Sequence, residues 1–270
     1  MNFFIAIPNT SLADEIHQLN KTKKISQIAR ACATFRVDTI FIYDEDYNFK
    51  RDRKLLIEVL RYMDTPQFLR KKIFPKTNEL KYSGITSPLK IPSHNTVNKV
   101  TKIKSGDIKD GVIVSINKKM FIDIGFDFRL LYFGKKMIGN RIQIKFQNGY
   151  PNLNFKEIKR EEINDYWGYK IKTKRNLLNF LLSWNGDIIL TSRKGIVTSV
   201  NNLRQYTGKK NMLVVFGTPN RGLHDILGNK INIIPHSKIL NFFPNQKTMT
   251  IRLEEAINGV LSILNLFQHH

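Results

Sequence analysis

The C-terminal third of the chain contains three strand-like apolar runs, each followed by a polar loop that contains glycine or proline. The runs are Ile188–Leu190, Met212–Phe216 and Ile231–Ile234. A fourth such loop, residues 241–246, leads into an amphipathic helix predicted at Leu253–Phe267. Open α/β sheets bind ligands at loops that follow the carboxyl ends of neighbouring strands. The sequence therefore predicts a ligand pocket at this end of the chain.

Both ends of the chain show the alternation of strand and helix that is typical of a parallel sheet. In residues 1–82 the predicted elements are a strand at Phe3–Ile7, a helix beginning at Ser11–Ile16, a helix at Lys24–Phe35, a strand at Thr39–Tyr43 and helices at Arg53–Met63 and Gln67–Lys72. Residues 168–270 add a helix at Asn176–Leu182 before the three strand-like runs.

The middle of the chain has a different pattern. A segment with two prolines, Ser87–His94, separates it from the first α/β part, and several short strand-like runs follow at the spacing of a small all-β barrel: Val97–Ile103, Lys109–Ile116, Met120–Ile124, Leu130–Phe133 and Arg141–Phe146. We therefore expect one discontinuous α/β domain, residues 1–86 and 168–270, with a barrel inserted at residues 87–167. Three separate units are the alternative, but the first segment alone would have a small core.

The strongest signal of composition is charge. The chain has 44 Lys and Arg against 22 Asp and Glu, a formal net charge of +22. Such an excess indicates a polyanionic partner, with nucleic acid first and an anionic membrane second. The membrane is disfavoured because no helix pairs a long basic face with an aromatic-rich apolar face. Salt-sensitive binding of RNA or DNA is expected.

Several common chemistries lack their sequence signatures. We find no Gly-x-Gly-x-x-Gly fingerprint, no phosphate-binding loop and no Gly-x-Ser-x-Gly elbow. His17, His94, His224 and His236 have no partner at metal-ligand spacing, so no metal is expected. The single cysteine, Cys32, excludes an intrachain disulfide, and the N-terminal residues lack the basic region of a secretory signal; a reducing, cytoplasmic location is expected.

The loop that follows Phe216 offers close backbone approach at Gly217 and Gly222 and a stiff turn at Pro219. Such a loop suits a ligand held by main-chain groups, and it also suits an ordinary turn between strand and helix. Three comparable loops at successive strand ends favour the ligand.

Two basic features each have two interpretations. The segment 61–72 interleaves cations with aromatic rings, which suits phosphates and unstacked bases, or it is a solvated face of an amphipathic helix. Its candidate RNA-binding residues are Arg61, Tyr62, Gln67, Arg70, Lys71 and Lys72.

Arg30 lies on the helix Lys24–Phe35. From its spacing alone, the simplest interpretation is a side chain that extends from an apolar helix face to solvent. A functional arginine would instead orient a phosphate or stabilise developing charge.

A set of separated motifs gives the chain a family resemblance. They include Ile28-Ala29-Arg30 with Phe35-Arg36-Val37-Asp38, then Thr65-Pro66-Gln67-Phe68-Leu69-Arg70 and Pro88-Leu89-Lys90-Ile91-Pro92-Ser93-His94, and, in the C-terminal part, Leu190-Thr191-Ser192-Arg193-Lys194-Gly195, Phe216-Gly217-Thr218-Pro219-Asn220-Arg221-Gly222-Leu223, Ile233-Ile234-Pro235-His236 and Phe242-Phe243-Pro244-Asn245-Gln246. In this order they resemble the SPOUT superfamily of RNA methyltransferases. More narrowly, they resemble the archaeal and eukaryotic family with an OB-like barrel inserted in the catalytic domain.

The resemblance implies a C-terminal trefoil knot that binds S-adenosylmethionine, and a homodimer. It implies that Arg30 takes part in methyl transfer; Arg36 and Asn245 are the other catalytic candidates. The implied cofactor-binding residues are Thr191, Ser192, Gly195, Gly217, Thr218, Asn220, Arg221, Gly222, Ile234, Pro235, Phe243, Asn245 and Gln246. His236 and Lys238 fall in a loop that varies within the family.

We therefore interpret the chain as an S-adenosylmethionine-dependent RNA methyltransferase that acts on rRNA or another structured RNA. The sulfonium already provides a good leaving group, so such a protein mainly aligns donor and acceptor, which agrees with the absence of a metal or triad signature. A non-catalytic RNA-binding or ribosome-assembly factor on the same fold is the alternative. A third possibility, a DNA-binding enzyme, is supported only by the positive net charge. Titration with S-adenosylmethionine separates the first two.

Overall fold

The computed structural model describes residues 2–95, 99–206 and 211–267. In chain order its strands and α-helices are β1 (Asn2–Pro8), α1 (Gln18–Thr34), β2 (Val37–Tyr43), α2 (Lys50–Asp64), α3 (Gln67–Ile73), β3 (Ile108–Ile116), β4 (Lys119–Asp123), β5 (Leu130–Leu131), β6 (Arg141–Asn148), β7 (Asn154–Ile158), β8 (Lys170–Lys174), α4 (Leu177–Leu182), β9 (Asp187–Val197), α5 (Val200–Arg204), β10 (Asn211–Val215), α6 (Leu223–Leu227), β11 (Ser237–Asn241) and α7 (Leu253–Asn265).

The described residues form two compact units. The first lies within Met1–Arg61, Glu79–Ser87 and Gly168–His270, and the second within Tyr62–Asn78 and Pro88–Trp167. The segment 62–78, which the sequence suggested was part of the first α/β half, groups with the second unit. The domain boundaries drawn from the sequence stay a prediction.

A six-stranded parallel sheet forms the centre of the first unit, in the order β11-β9-β10-β1-β2-β8. The central strands β1 and β10 are continuous apolar runs because both faces of a parallel sheet are covered. Ile5, Ala6 and Ile7 of β1 and Leu213 of β10 are fully buried. The predicted α/β fold with a parallel sheet is confirmed.

Helix α7 contacts α1 in the first unit. Apolar residues of α7, such as Ile257 and Leu261, are fully buried. A buried ion pair joins the two helices, with Lys24 Nζ 3.3 Å from Glu254 Oε2 and 2.6 Å from Asp14 Oδ2. Because Lys24 is only 2% exposed, its charge needs these carboxylates.

Two predicted elements of the first unit are wrong. Residues 9–14 form turns rather than a helix at Ser11–Ile16, because the Ser11 hydroxyl donates to the Pro8 carbonyl and Ala13 N donates to Thr10 O. The run Ile231–Ile234 is not a strand, since Gly228–Ile233 forms a 3-10 helix that buries Ile231, and Ile234, the residue after this helix, is also buried. The strand in this region is β11, which begins three residues after Ile234.

The second unit contains a curled five-stranded antiparallel sheet in the order β5-β4-β3-β6-β7. Alternate residues point into its core, where Ile113, Ile122, Ile142 and Ile144 are fully buried. The predicted strands at Lys109–Ile116, Met120–Ile124 and Arg141–Phe146 agree with β3, β4 and β6 within a few residues.

The predicted strand at Val97–Ile103 falls partly on residues 96–98, which lie outside the described residues, and its remainder includes a 3-10 turn at Val100–Lys102. Strands β7 and β8 have no counterpart in the sequence prediction. Strand β8 has three lysines in five residues and β7 has Lys156 and Glu157; both are edge strands, where charged side chains discourage pairing with other chains.

A buried polar network joins the end of α2 to β3 and β6 inside the second unit. The Arg141 guanidinium lies between two carboxylates, with Nη1 2.7 Å from Asp64 Oδ2 and Nη2 2.6 Å from Asp110 Oδ2. Asp110 also accepts bonds from Gln143 (2.8 Å) and from the Trp167 indole (3.1 Å). Burial opposes the charge of Arg141, but the two carboxylates outweigh it and raise the pKa of the guanidinium.

Candidate functional site

A cavity of about 370 Å³ opens in the first unit beside the middle of β9, which continues to Val197 where the sequence predicted a loop after Leu190, and at the ends of β10 and β11. Parallel strands end at a common edge, so the loops that follow them meet there. Nine of the predicted cofactor-binding residues line this cavity: Thr191, Ser192, Gly217, Thr218, Asn220, Arg221, Gly222, Phe243 and Gln246. The structure thus brings three separate sequence motifs together around one space.

The first wall is a protruding segment within β9. Leu190 pairs with Ile239 of β11 and Ile196 pairs with the next residue, Leu240, so residues 191–195 loop out beside a single step of β11. The Thr191 hydroxyl donates to Val215 O at 2.8 Å, and the Asn241 side-chain amide donates to Arg193 O at 3.0 Å. These bonds fix the protruding segment to β10 and to the end of β11.

Gly195 ends the protruding segment against the backbone of β11. A Cβ atom at this position would lie 2.8 Å from the carbonyl carbon and oxygen of Ile239 and from the nitrogen of Leu240. A side chain here would force β9 away from β11, so the close approach requires glycine.

The second wall is the loop 217–222, which closes on itself. Thr218 N donates to Arg221 O at 2.9 Å, and the Thr218 hydroxyl accepts Arg221 N at 2.7 Å. The Arg221 guanidinium is held from outside the loop, with Nη1 2.7 Å from Glu45 Oε1 and Nη2 donating to Asp225 O at 3.0 Å. The loop therefore presents a fixed set of main-chain groups and one oriented cation.

The third wall combines the segment after β11 with helix α7. Phe243 N donates to Asn241 Oδ1 at 2.9 Å, which sets the turn that places the Phe243 ring at the cavity. A Cβ atom at Gly259 would lie 2.6 Å from that ring, so glycine in α7 leaves room for it. Leu253, Ala256 and Val260 of α7 add an apolar surface to this wall.

Sequence reasoning missed several cavity residues. The apolar residues Leu253, Ala256 and Val260 belong to the apolar stripe of α7, which looks like an ordinary core-facing stripe, so no signal in the sequence marks them as cavity residues. His224, at the start of α6, also lines the cavity, and its Nε2 is buried without a hydrogen-bond partner among the described residues. A buried polar atom without a hydrogen-bond partner is uncommon, which suggests that a ligand or a water molecule forms a hydrogen bond with it.

Four predicted cofactor residues are not part of the cavity wall as described. Gly195 lies against β11, and Ile234 is buried with its carbonyl accepting the Ser237 hydroxyl at 2.8 Å. Pro235 and Asn245 are exposed. Their predicted contacts with a cofactor stay predictions.

The two arginines proposed for catalysis lie near the end of α1. Arg30 is exposed on the helix, and Arg36 follows it with a φ of 54°, where the chain turns into β2. Among the described residues, the cavity wall includes neither of them. Their catalytic roles stay predictions.

The predicted RNA-binding residues of segment 61–72 divide into exposed and packed side chains. Gln67 and Lys71 are exposed. Arg70 is buried, donates from Nε to Thr65 O at 2.9 Å and lies over the Tyr62 ring at 4.5 Å from its centre. The structure gives Arg70 a role in holding its own turn, and RNA contact by this segment stays a prediction.

The Lys72 ammonium lies 2.5 Å from Asp123 Oδ2 of β4, and Arg129 lies 3.4 Å from the same oxygen. Burial favours the neutral form of Asp123, but the bonds from Lys72 and Gly125 N outweigh it and lower the pKa of this carboxyl. Arg61, on α2 in the first unit, is exposed and lies 3.7 Å from Glu58.

Within residues 2–95, 99–206 and 211–267, no group of three or more His, Cys, Asp or Glu side chains is arranged to hold a metal ion. No helix in the same ranges has the length and apolar character that crossing a membrane requires.

Sequence comparison assigns the chain to a family of enzymes, and a parallel α/β sheet with a cavity at its edge is consistent with that family. The chain belongs to the family described as "Putative RNA methyltransferase", whose sequence profile matches residues 2–264. The predicted RNA methyltransferase is confirmed at the level of this family, and membership favours an enzyme over the non-catalytic alternative.

Individual relatives match over most of the chain. An uncharacterized protein of Halobacterium salinarum is 26% identical over 288 residues, covering 97% of this chain and 98% of its own. The human 28S rRNA (uridine-N(3))-methyltransferase is 25% identical over 297 residues, covering 94% of this chain and 75% of its own. The Drosophila melanogaster protein of the same name is 26% identical over 303 residues, covering 96% of this chain and 61% of its own.

Proposed function

We propose that this chain is an S-adenosylmethionine-dependent methyltransferase that modifies rRNA. The observation that carries the proposal is the cavity beside the middle of β9 and the ends of β10 and β11, which joins three motifs in a member of an RNA methyltransferase family. Ligand sites of open α/β folds lie at this edge of the sheet.

The cavity residues suit the cofactor. The cavity volume of about 370 Å³ falls within the range that is typical of small-molecule binding sites. Leu253, Ala256 and Val260 offer an apolar surface for a purine ring, and the closed loop 217–222 offers main-chain donors and acceptors for polar groups. The buried, unpartnered Nε2 of His224 is one further group that a ligand in this cavity could satisfy.

S-adenosylmethionine, when bound, supplies a methyl group on a sulfonium that needs no further activation by the protein. The protein's task is then to hold the donor and present the acceptor in line. Residues 191–194 and 217–222 would hold the donor, and Arg221, kept in place by Glu45, would orient an anionic group at the rim. Arg30 and Arg36 would position RNA, and Asn245 would contact the cofactor or acceptor.

The proposed substrate is rRNA, with uridine N3 as the acceptor to test first. Support comes from the human and fly relatives, whose names state that substrate and atom. The net charge of +22 agrees with a structured RNA as partner.

The finer architecture of the resemblance is part of the same proposal. A trefoil knot, as in SPOUT enzymes, is supported by the sheet order β11-β9-β10, in which β11 pairs beside β9 rather than beside the strand that precedes it in the chain. An inserted OB-like barrel at residues 87–167 is supported by the curled antiparallel sheet. A homodimer is supported by exposed apolar side chains next to the protruding segment, Ile196, Val197 and Val200.

Calorimetric titration with S-adenosylmethionine tests the proposal. Ala256→Trp would fill the cavity from α7 and should abolish binding, whereas Asn258→Ala, on the exposed face of the same helix, should bind as the unchanged protein does. An absence of binding to the unchanged protein at high micromolar cofactor would overturn the proposal. Equal binding by both variants would show that the cofactor binds elsewhere.

A further inference from the structure

One face of the antiparallel sheet in the second unit carries apolar side chains that its core does not use. Phe121 pairs with Leu131, and Ile116 pairs with Lys119, across antiparallel neighbours whose side chains point to the same face. The ladder continues for one step, because Tyr132 N donates to Met120 O at 3.0 Å. This places Phe133, two residues after Leu131, on the same face.

The outer face is buried at Val112 and Asp123 (each 1% exposed), but near β5 the exposures of the two faces differ sharply. On the inner face Ile113 and Ile122 are fully buried and Tyr132 is 7% exposed. On the outer face Leu131 is 48% and Phe133 is 89% exposed. We call the set Ile116, Lys119, Phe121, Leu131 and Phe133 the outer β3–β5 surface.

Cations surround this surface. Asn117 and Lys118 form the tight turn between β3 and β4, Lys119 begins β4, and Lys135 and Lys136 follow Phe133 after Gly134. Lys136 is paired with Glu157 at 2.8 Å. In the part of the chain that the structure describes, no ion pair is recorded for Lys118, Lys119 or Lys135. By the register of this ladder Lys119 lies next to Phe133, and Lys118 and Lys135 lie within two residues of that pair in the chain.

We propose that the outer β3–β5 surface binds unpaired RNA bases, with Phe133 as the stacking ring and the neighbouring lysines as phosphate contacts. The inference rests on the proposed function, since it assigns part of the same substrate to a surface outside the cavity. Exposed aromatic side chains in a basic setting bind single strands because every base has a face that can stack and every linkage carries a charge.

The lysines favour RNA over a protein partner. Protein–protein interfaces are enriched in aromatic residues but depleted in lysine, because burying an ammonium removes it from water. At an RNA-binding surface the same lysines release counterions from the phosphates and add affinity. A second copy of this chain would bring its own lysines against these, and the like charges would repel.

The test is fluorescence anisotropy of the full-length protein with a 5′-labelled, ten-nucleotide oligouridine RNA. Loss of one stacked base should make Phe133→Ala bind roughly 5- to 150-fold more weakly. Phe133→Trp should restore binding, because the larger ring also stacks. Ile16→Ala, at an equally exposed apolar residue of the first unit, should leave the affinity unchanged.

A second arm measures the salt dependence. Removing two phosphate contacts in Lys118→Ala with Lys119→Ala should lower the slope of log Kd against log salt by roughly 1.4, at about 0.7 per contact for single strands. An unchanged slope, or Phe133→Ala affinity within twofold of the unchanged protein, would overturn the inference. The inference would also be overturned if light scattering gave Phe133→Ala a lower mass than the unchanged protein while its RNA affinity stayed the same. That result would show that the surface binds a second copy of the chain. Titration of the same samples with S-adenosylmethionine reports separately on the proposed function.

Discussion

Replacing Gly195 by alanine tests whether the protruding segment of β9 depends on close approach to β11. The new Cβ would lie 2.8 Å from backbone atoms of Ile239 and Leu240, whereas carbon atoms normally pack at about 3.5 Å or more. Strand backbone cannot rotate away as a side chain can, and such overpacking typically costs about 1–3 kcal/mol. Alanine also has fewer conformations than glycine in the unfolded chain, which stabilises the folded protein by about 0.4–1 kcal/mol. We expect a net loss of about 1.3 kcal/mol at the middle of these ranges and at most about 2.6 kcal/mol.

The matched control is Gly84→Ala, also in the first unit, where the added Cβ meets nothing within 4 Å. It carries the same unfolded-state gain without the clash, so the two variants should differ by about 1–3 kcal/mol in the free energy of unfolding by urea. Gly195→Ala should also bind S-adenosylmethionine more weakly, because residues 191–194 line the cavity. The reasoning is refuted if the two variants are equally stable and Gly195→Ala keeps full affinity for the cofactor.

Three further predictions follow from other contacts. Arg141→Gln should destabilise the protein by about 3–5 kcal/mol in urea unfolding, because it leaves the buried Asp110 carboxylate without its cation and removes the nearer arginine from Asp64, where Arg160 stays at 3.4 Å; a loss under 1 kcal/mol would contradict this. Burial lowers the pKa of His94 from 6.5, so the folded state binds this proton less well than the unfolded state. Stability should therefore be full above pH 6.5 and fall as the pH drops below it, and His94→Gln should show a flatter profile; parallel profiles would disprove the assignment. Gly259→Ala should gain up to about 1 kcal/mol of helix propensity but push the Phe243 ring towards the cavity, so cofactor affinity should fall without loss of stability, and unchanged affinity would count against that wall.

The elements that sequence patterns predicted well are those with continuous burial. Strands β1 and β10 are apolar runs because helices or loops cover both faces of a parallel sheet, and the stripe of α7 repeats at helical spacing. The run Ile231–Ile234 was misread because a short apolar segment has no period of its own: Ile231 is buried from a 3-10 helix, and Ile234 is buried just after that helix ends. Strands β7 and β8 gave no signal because their edges face solvent and carry lysine.

The site was predictable in its motifs but not in its contacts. Gly217 and Phe243 follow strands β10 and β11, which the sheet brings to one edge, and that arrangement can be read from the sequence, whereas Thr191 lies inside β9, which continues to Val197. The ion pair between Glu45 and Arg221 joins residues 176 positions apart, and nothing local indicates it. The same is true of the α7 residues at the cavity, whose apolar character reads as core until the neighbouring loops are in place.

Transfer of an isotope-labelled methyl group from S-adenosylmethionine to purified rRNA tests the central claim most directly. The account predicts that the unchanged protein labels the RNA and that Ala256→Trp, with its cavity filled, does not, while Asn258→Ala labels it fully. Digestion to nucleosides and mass spectrometry would then identify the labelled base. A protein that binds rRNA and S-adenosylmethionine but leaves the RNA unlabelled would contradict the account and support a non-catalytic binding factor.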